Sequence, residues 1–293
     1  MMRHAFLIIA HNDFPLLHTL LKMLDDARND LYVHIDLRSA ALYQQVCTVK
    51  TRQARLFILP HRIPVHWGDI SQVEVEYLLL ETAAAWEEYA YYHLLSGADL
   101  PIQSQEYIHR FFQQHAGKEF IGFWQTPAHQ KDLDRKISRY YFFTKHRRPG
   151  EKWHALTTPL YNLCLLIQKL TGIRRKQEVA FRKGPQWFSI THAFCQYLIS
   201  QKSWVIKRMK HTLCPDEIFV QTVAWNSPFK DRLFNPDDEN TGNMRLIDWK
   251  RGNPYVWNKE DLPELMQSDK LFARKFTSRH AAIVHEIEKR YTK

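Results

Sequence analysis

Along the first hundred residues, short apolar runs alternate with longer stretches in which apolar residues recur every three or four positions. Residues 6–10 form a continuous apolar run, the pattern of a strand buried on both faces. Leu16, Leu17, Leu20, Leu21 and Leu24 follow at helical spacing and predict a helix over 14–24. Residues 31–36 read as a second strand ending in a carboxylate, 55–59 as a third closed by Pro60, and 91–95 as a fourth. Between the last two, Val73, Tyr77, Leu80 and Ala84 share one face of a helix over 71–88. Strands alternating with helices predict an α/β fold with a mainly parallel central sheet flanked by helices. Right-handed crossovers then place Asp36 and Asp99 along one sheet edge, where such folds bind ligands.

The middle of the chain is less periodic. Residues 125–150 are polar and basic and are expected to form loops over the site. Residues 156–170 are amphipathic, with Leu160, Leu163, Ile167 and Leu170 on one face. Packing of that face onto the domain is the expectation, although the basic continuation Arg174-Arg175-Lys176 would also suit an interfacial membrane helix. From Gly184 the alternation resumes, with a strand over 186–190 and helices over 192–200, 215–225, 262–265 and 281–289. No repeat, low-complexity tract or linker divides the chain. One domain is expected over 1–293, its residues 1–125 a nucleotide-binding half and 126–293 an acceptor and catalytic half.

Composition narrows the function. The formal net charge is +10, a field that attracts polyanions: nucleic acid, anionic lipid or a nucleotide-activated substrate. The excess gathers in runs, Lys145-His146-Arg147-Arg148, Arg174-Arg175-Lys176 and Lys207-Arg208-Met209-Lys210. With only nine glycines and neither a dinucleotide nor a P-loop fingerprint, those two phosphate-binding readings lose their support. Cys47, Cys164, Cys195 and Cys214 are far apart, which removes zinc-knuckle and thioredoxin readings and suggests a reduced, cytoplasmic compartment. The first apolar run is too short for a secretory leader, and no segment reaches the roughly 18 apolar residues of a membrane span. The expectation is a cytoplasmic protein with peripheral contact at the inner membrane face.

Two segments carry candidate chemistry: Pro215-Asp216-Glu217 and, downstream, Leu271-Phe272-Ala273-Arg274-Lys275-Phe276. A carboxylate that can take a proton, with a cation framed by apolar residues, suits metal-free transfer from a phosphate-activated donor. With Ile8-Ile9-Ala10-His11, Val33-His34-Ile35-Asp36, the segment from Val65 to Val73 and the segment from Leu94 to Ile102, these resemble the core-2/I-branching N-acetylglucosaminyltransferase family. That family also contains the peptide O-xylosyltransferases.

The resemblance implies a GT-A type fold and inverting transfer of N-acetylglucosamine or xylose from a UDP-sugar to an acceptor hydroxyl. It implies no cofactor and no metal requirement, with the UDP-sugar as co-substrate and a glycan or lipid-linked glycan as acceptor. Glu217 matches the family's general base, and Asp216 beside it serves positioning or capping. Lys275 matches the lysine that neutralises the leaving diphosphate, and Arg251, or less well Arg245, is the candidate for a second cation. Asp36 matches an aspartate touching the nucleotide. Asp99, in a turn after the fourth strand, is read as site-proximal. Arg135 aligns with an acceptor contact, Trp249 is a candidate to stack on a sugar, and Trp187 is assigned to the core. Asp132-Leu133-Asp134 spells the DxD of metal-dependent transferases, but no hydrophobic strand precedes it and it is read as coincidental. The alternatives are a basic nucleic-acid-binding protein, for which no helix-turn-helix, RNP or zinc-finger signature is present, and a non-catalytic glycan-binding relative.

Overall fold

The computed structural model describes residues 2–292. Among the described residues nine strands form two sheets: β1 His4–Ala10, β2 Asn29–Ile35, β3 Arg55–Ile58, β4 Tyr91–Ser96, β5 Asp99–Pro101, β6 Phe120–Ile121, β7 Phe188–Thr191, β8 Arg245–Ile247 and β9 Phe272–Arg274. Helices α1 Phe14–Met23, α2 Ala40–Val46, α3 Ser71–Trp86, α4 Gln105–Gln114, α5 Pro127–Ser138 and α6 His154–Thr171 alternate with them. The remainder are α7 His192–Ser200, α8 Lys202–Met209, α9 Phe219–Trp225, α10 Glu239–Asn243, α11 Leu262–Gln267 and α12 Ala281–Tyr291.

The main sheet has the order β3-β2-β1-β4-β7-β6. Its first four strands are parallel, as the apolar runs predict, while β7 lies antiparallel to β4 and β6 antiparallel to β7. β1 and β2 are almost wholly buried because both faces are covered. One core packs α3, α7 and α9 side chains such as Tyr77, Phe194 and Phe219 against the sheet; the other packs α1, α4 and α12 through Leu17, Phe112 and Ile287. A second sheet, β5-β9-β8, pairs Asp99 with Arg274 and joins the C-terminal part of the chain to the turn after β4. The two halves expected from the sequence thus share both sheets.

Three expectations change. Residues 125–150 carry α5, capped by Thr126, whose side chain accepts the His129 amide at 3.3 Å, with Pro127 at its first position. The 215–225 helix is split: Pro215–Glu217 is a separate 3₁₀ turn, and α9 starts after Ile218. The apolar face of α6 does not pack on the domain, because Leu160, Leu163, Ile167 and Leu170 are all exposed. All four cysteines are unpaired. Among the described residues, no helix is long and apolar enough to cross a membrane.

Candidate active site

Parallel strands β1, β2 and β4 end at the same sheet edge, and the polar residues following them meet there. Asp36 follows β2, and its amide donates to the Ala10 carbonyl at 2.9 Å. Its carboxylate accepts from the Arg38 amide at 2.8 Å, from Arg38 Nη2 at 2.9 Å and from the Val65 amide at 3.2 Å. Burial pushes the Asp36 carboxyl up, but the Arg38 and Val65 hydrogen bonds outweigh it and leave the group below its usual range. Asp99 is also buried; it accepts from the Ser96 amide at 2.7 Å and from Arg274 Nη1 at 2.7 Å. Arg274 lies over the ring of Trp187, 4.5 Å from its centroid, and Trp187 itself is buried in the core.

Lys275 follows directly. Partial burial lowers its pKa, as do the positive charges of Arg274 and Arg148, against the opposing effect of Asp99. The imidazole of His11, at the end of β1, is lowered by burial, with Asp36 opposing and the charges of Lys275, Arg274 and Arg38 adding to the depression. The backbone of Lys275 is clamped at both ends: its amide donates to Tyr255 O at 3.2 Å, and its carbonyl accepts from Trp257 N at 3.0 Å. Lys275, Arg274 and Arg148 therefore concentrate positive charge beside the carboxylates at the strand ends.

Two larger cavities open on the molecule. One, about 460 Å³, lies at the opposite end of the strands, between His4, Tyr91, His109, Phe112 and Arg232, and no carboxylate lines it. The other, about 420 Å³, contains Glu217. Trp67, Trp124 and Trp249 line it, with Arg135, Arg147 and Asn253. Arg148 stacks on Trp67 at 5.0 Å, and the 249–253 loop leads into the segment that clamps Lys275. Those two features link the Glu217 cavity to the cationic edge.

Glu217 is held by two lysines. Lys136 Nζ lies 3.0 Å and Lys183 Nζ 3.2 Å from the same oxygen, Oε2. Among the described residues Oε1 has no hydrogen-bond partner. Lys183 also pairs with Asp132 at 2.5 Å, and Lys136 with Asp132 at 3.2 Å, so two cations and two carboxylates alternate around the cavity floor. Both lysines are nearly inaccessible to solvent. Burial alone would lower the Lys136 ammonium, yet Glu217 and Asp132 raise it above its usual value. Burial pushes Asp132 up, but the Lys183 hydrogen bond and the Lys136 charge prevail and hold it well below the usual carboxylate range.

The peptide backbone explains how these groups converge. Gly184 N donates to Glu217 O at 2.9 Å, and a Cβ on Gly184 would stand 2.0 Å from the Gly122 carbonyl oxygen. Only glycine lets the Lys183 segment pass that close. Gly68, at φ +70, accepts from Cys214 N at 3.0 Å and so supports the turn that presents Glu217. The neighbouring Asp216 turns into the protein: it is buried, and burial first and the Glu217 charge second push its carboxyl up to about 7. Buried Glu76 is likewise raised, by burial and then by Asp216, and accepts from Gln186 Nε2 at 2.7 Å.

The structure therefore brings Glu217, Arg135 and Trp249 into one cavity and places Asp36, Asp99 and Lys275 at the strand ends. It directs Asp216 away from the cavity. Arg251 is committed elsewhere, to Asp248, to Asp261 at 2.8 Å and to Glu264 at 2.7 Å. Arg245 is buried, donating to Phe188 O at 2.9 Å. Neither arginine is free to face a diphosphate in this arrangement; Arg274 and Arg148 stand beside Lys275 instead. Asp132 and Asp134 lie on α5, away from any strand end. Lys136, Lys183 and Trp124 escaped the sequence reading. A lysine's burial depends on which distant segments cover it, and only the Lys183-Gly184 step hinted at a close backbone approach.

The sequence profile described as "Core-2/I-Branching enzyme" matches residues 4–271. "Xylosyltransferase 2" of Rattus norvegicus is 25% identical over 302 residues, 95% of this chain and 32% of that protein. "Xylosyltransferase 1" of Homo sapiens is 25% identical over 297 residues, 94% of this chain and 29% of that protein. The chain thus spans about a third of the length of the curated relatives it matches. The apo crystal structure of mouse xyloside xylosyltransferase 1 superposes with a TM-score of 0.38 at 9% identity, covering 92% of this chain and 97% of that one.

Proposed function

Because the chain belongs to the core-2/I-branching enzyme family, whose members are glycosyltransferases, we propose that it transfers a sugar from a UDP-sugar to an acceptor hydroxyl with inversion, in a GT-A type fold and without a metal ion. The observation that carries this reading is the asymmetric clamping of Glu217, a residue lining the cavity: both lysines contact Oε2, while Oε1 has no hydrogen-bond partner among the described residues. A base held in this way is oriented for one incoming proton. The acceptor oxygen attacks the anomeric carbon as its proton passes to Glu217. The bond to the UDP oxygen breaks on the opposite side, and its electron pair leaves with the diphosphate.

The departing charge needs a counter-charge at the strand edge. Lys275 supplies a point cation there, and Arg274, fixed by Asp99 and Trp187, supplies a second in the role the sequence reading gave to Arg251. Asp36 orders the edge by holding Arg38 and Val65, and a nucleotide contact would add to that role. Trp67 and Trp249, both partly exposed in the cavity, present faces to an acceptor sugar, with Arg135 at its rim.

The matched relatives are xylosyltransferases, so UDP-xylose is the first donor to test, with UDP-N-acetylglucosamine beside it. A glycan or lipid-linked glycan hydroxyl is the acceptor class. The test is UDP release across a panel of UDP-sugars, with and without chelator. The expected result is hydrolysis of UDP-xylose or UDP-N-acetylglucosamine that survives chelation. Tight, salt-sensitive oligonucleotide binding with no response to any UDP-sugar would overturn the proposal in favour of a nucleic-acid-binding protein.

A further inference from the structure

Helix α6 is fixed to the domain by one side only. Its Tyr161 and Leu165 pack against the buried cluster of Tyr141, Leu213 and Cys214. Gln168 locks the same side in place, accepting from Tyr140 N at 2.7 Å and donating to Tyr140 O at 2.9 Å. The opposite side faces solvent among the described residues. Leu156, Leu160, Leu163, Ile167 and Leu170 are between 46% and 76% exposed and follow one another at intervals of three and four residues. They make a continuous stripe along a helix of 18 residues, about 27 Å long. Exposed Leu166 and Ile173 widen it, and exposed Trp153 stands at its N-terminal end. A stripe of this size on one helix marks a surface that is covered in use.

Charge identifies what covers it. From Lys152 to Gln177 the chain contains no Asp or Glu, while Lys152, Lys169, Arg174 and Lys176 are exposed. A second copy docked on the same stripe would bring basic ends near basic ends, and the positions flanking the stripe (Thr157, Pro159, Cys164, Thr171) offer no opposite charge for pairing. An anionic bilayer satisfies both features, taking the leucines into its interface and the lysines against its headgroups, with tryptophan at the boundary. We infer that α6 is an interfacial helix that seats this face of the protein on an anionic lipid bilayer. Because its inner side packs on Cys214, the residue before Pro215-Asp216-Glu217, the seating brings the bilayer beside the Glu217 cavity. The inference rests on α6 alone and stands apart from the assignment of Glu217.

The test is co-sedimentation of the full chain with vesicles of phosphatidylcholine alone and of equal parts phosphatidylcholine and phosphatidylglycerol. Binding is expected to the anionic vesicles only and to fall as salt is raised. The triple variant L160E/L163E/I167E should lose binding by about tenfold or more, with its circular dichroism unchanged because the three side chains are already in solvent. Lys152→Gln, Lys169→Gln and Lys176→Gln should each weaken it about fivefold at most, and they decide the matter even if the triple variant misfolds. Absence of binding to anionic vesicles at low salt overturns the inference. So does a sedimentation-velocity dimer that the triple variant converts to monomer, which would make the stripe a contact between copies.

Discussion

At the residue scale, the two oxygens of Glu217 have different surroundings, and that difference sets the expected mutant behaviour. Glu217→Gln keeps the size of the side chain but cannot accept the acceptor's proton. Transfer should fall about 10²- to 10⁴-fold while UDP binding, read by calorimetry, is retained. Lys183→Met removes the cation between Asp132 and Glu217, whose carboxylates both lie within 3.2 Å of its Nζ. Stability should drop by about 3 kcal/mol in urea unfolding, at the low end for a broken buried pair because Glu217 is partly solvated. Asp216 gives a pH signature. Its folded pKa, about 7, lies above its ordinary value of 3.8, so the folded protein binds more protons between those limits. Stability from this group is full below about pH 4 and is lost as pH rises through about 7. Asp216→Asn cannot ionise, so its Tm should exceed that of the native chain at about pH 8 and converge with it below about pH 4. A Tm difference that does not change with pH would remove Asp216 from this role.

At the element scale, close backbone passages hold the site together. Gly184→Ala inserts a methyl group against the Gly122 carbonyl and must displace either the backbone just after β6 or the Glu217 turn. A loss of about 1–3 kcal/mol is expected, together with reduced transfer, because the same segment carries Lys183 and bonds Glu217 O. This scale also shows what the sequence could disclose. β1, β2, β4, α1 and α3 were legible because both their period and their burial are imposed by the two cores on the faces of the main sheet. α5 was not, since only Leu133 and Ile137 give it an apolar spacing, although Thr126-Pro127 is a start signal. For α6 the period was plain but its partner was not: amphipathicity says that a face is apolar, never what it faces. Glu217 was legible through its Pro-Asp-Glu segment, whereas the lysines that orient it were brought there by α5 and by the loop before β7.

At the scale of the whole molecule, Arg148 on Trp67 and the segment from Asp248 to Trp257 connect the tryptophan-walled cavity to the strand ends and to Lys275, on a protein of net charge +10. The field favours anionic donors, while Lys275 and Arg274 give it a fixed focus. Lys275→Ala should lower kcat/KM about 10²- to 10³-fold, an effect read in steady-state kinetics with the productive UDP-sugar. Loss of one surface lysine such as Lys207 should leave it unchanged.

The most direct test of the central claim is the single-turnover rate of sugar transfer to an acceptor, with native chain and Glu217→Gln compared at saturating UDP-sugar. The account predicts that the native chain transfers with inverted configuration and that the variant binds UDP-sugar normally yet transfers at least about 10² times more slowly. A Glu217→Gln variant that transfers at the native rate would contradict it.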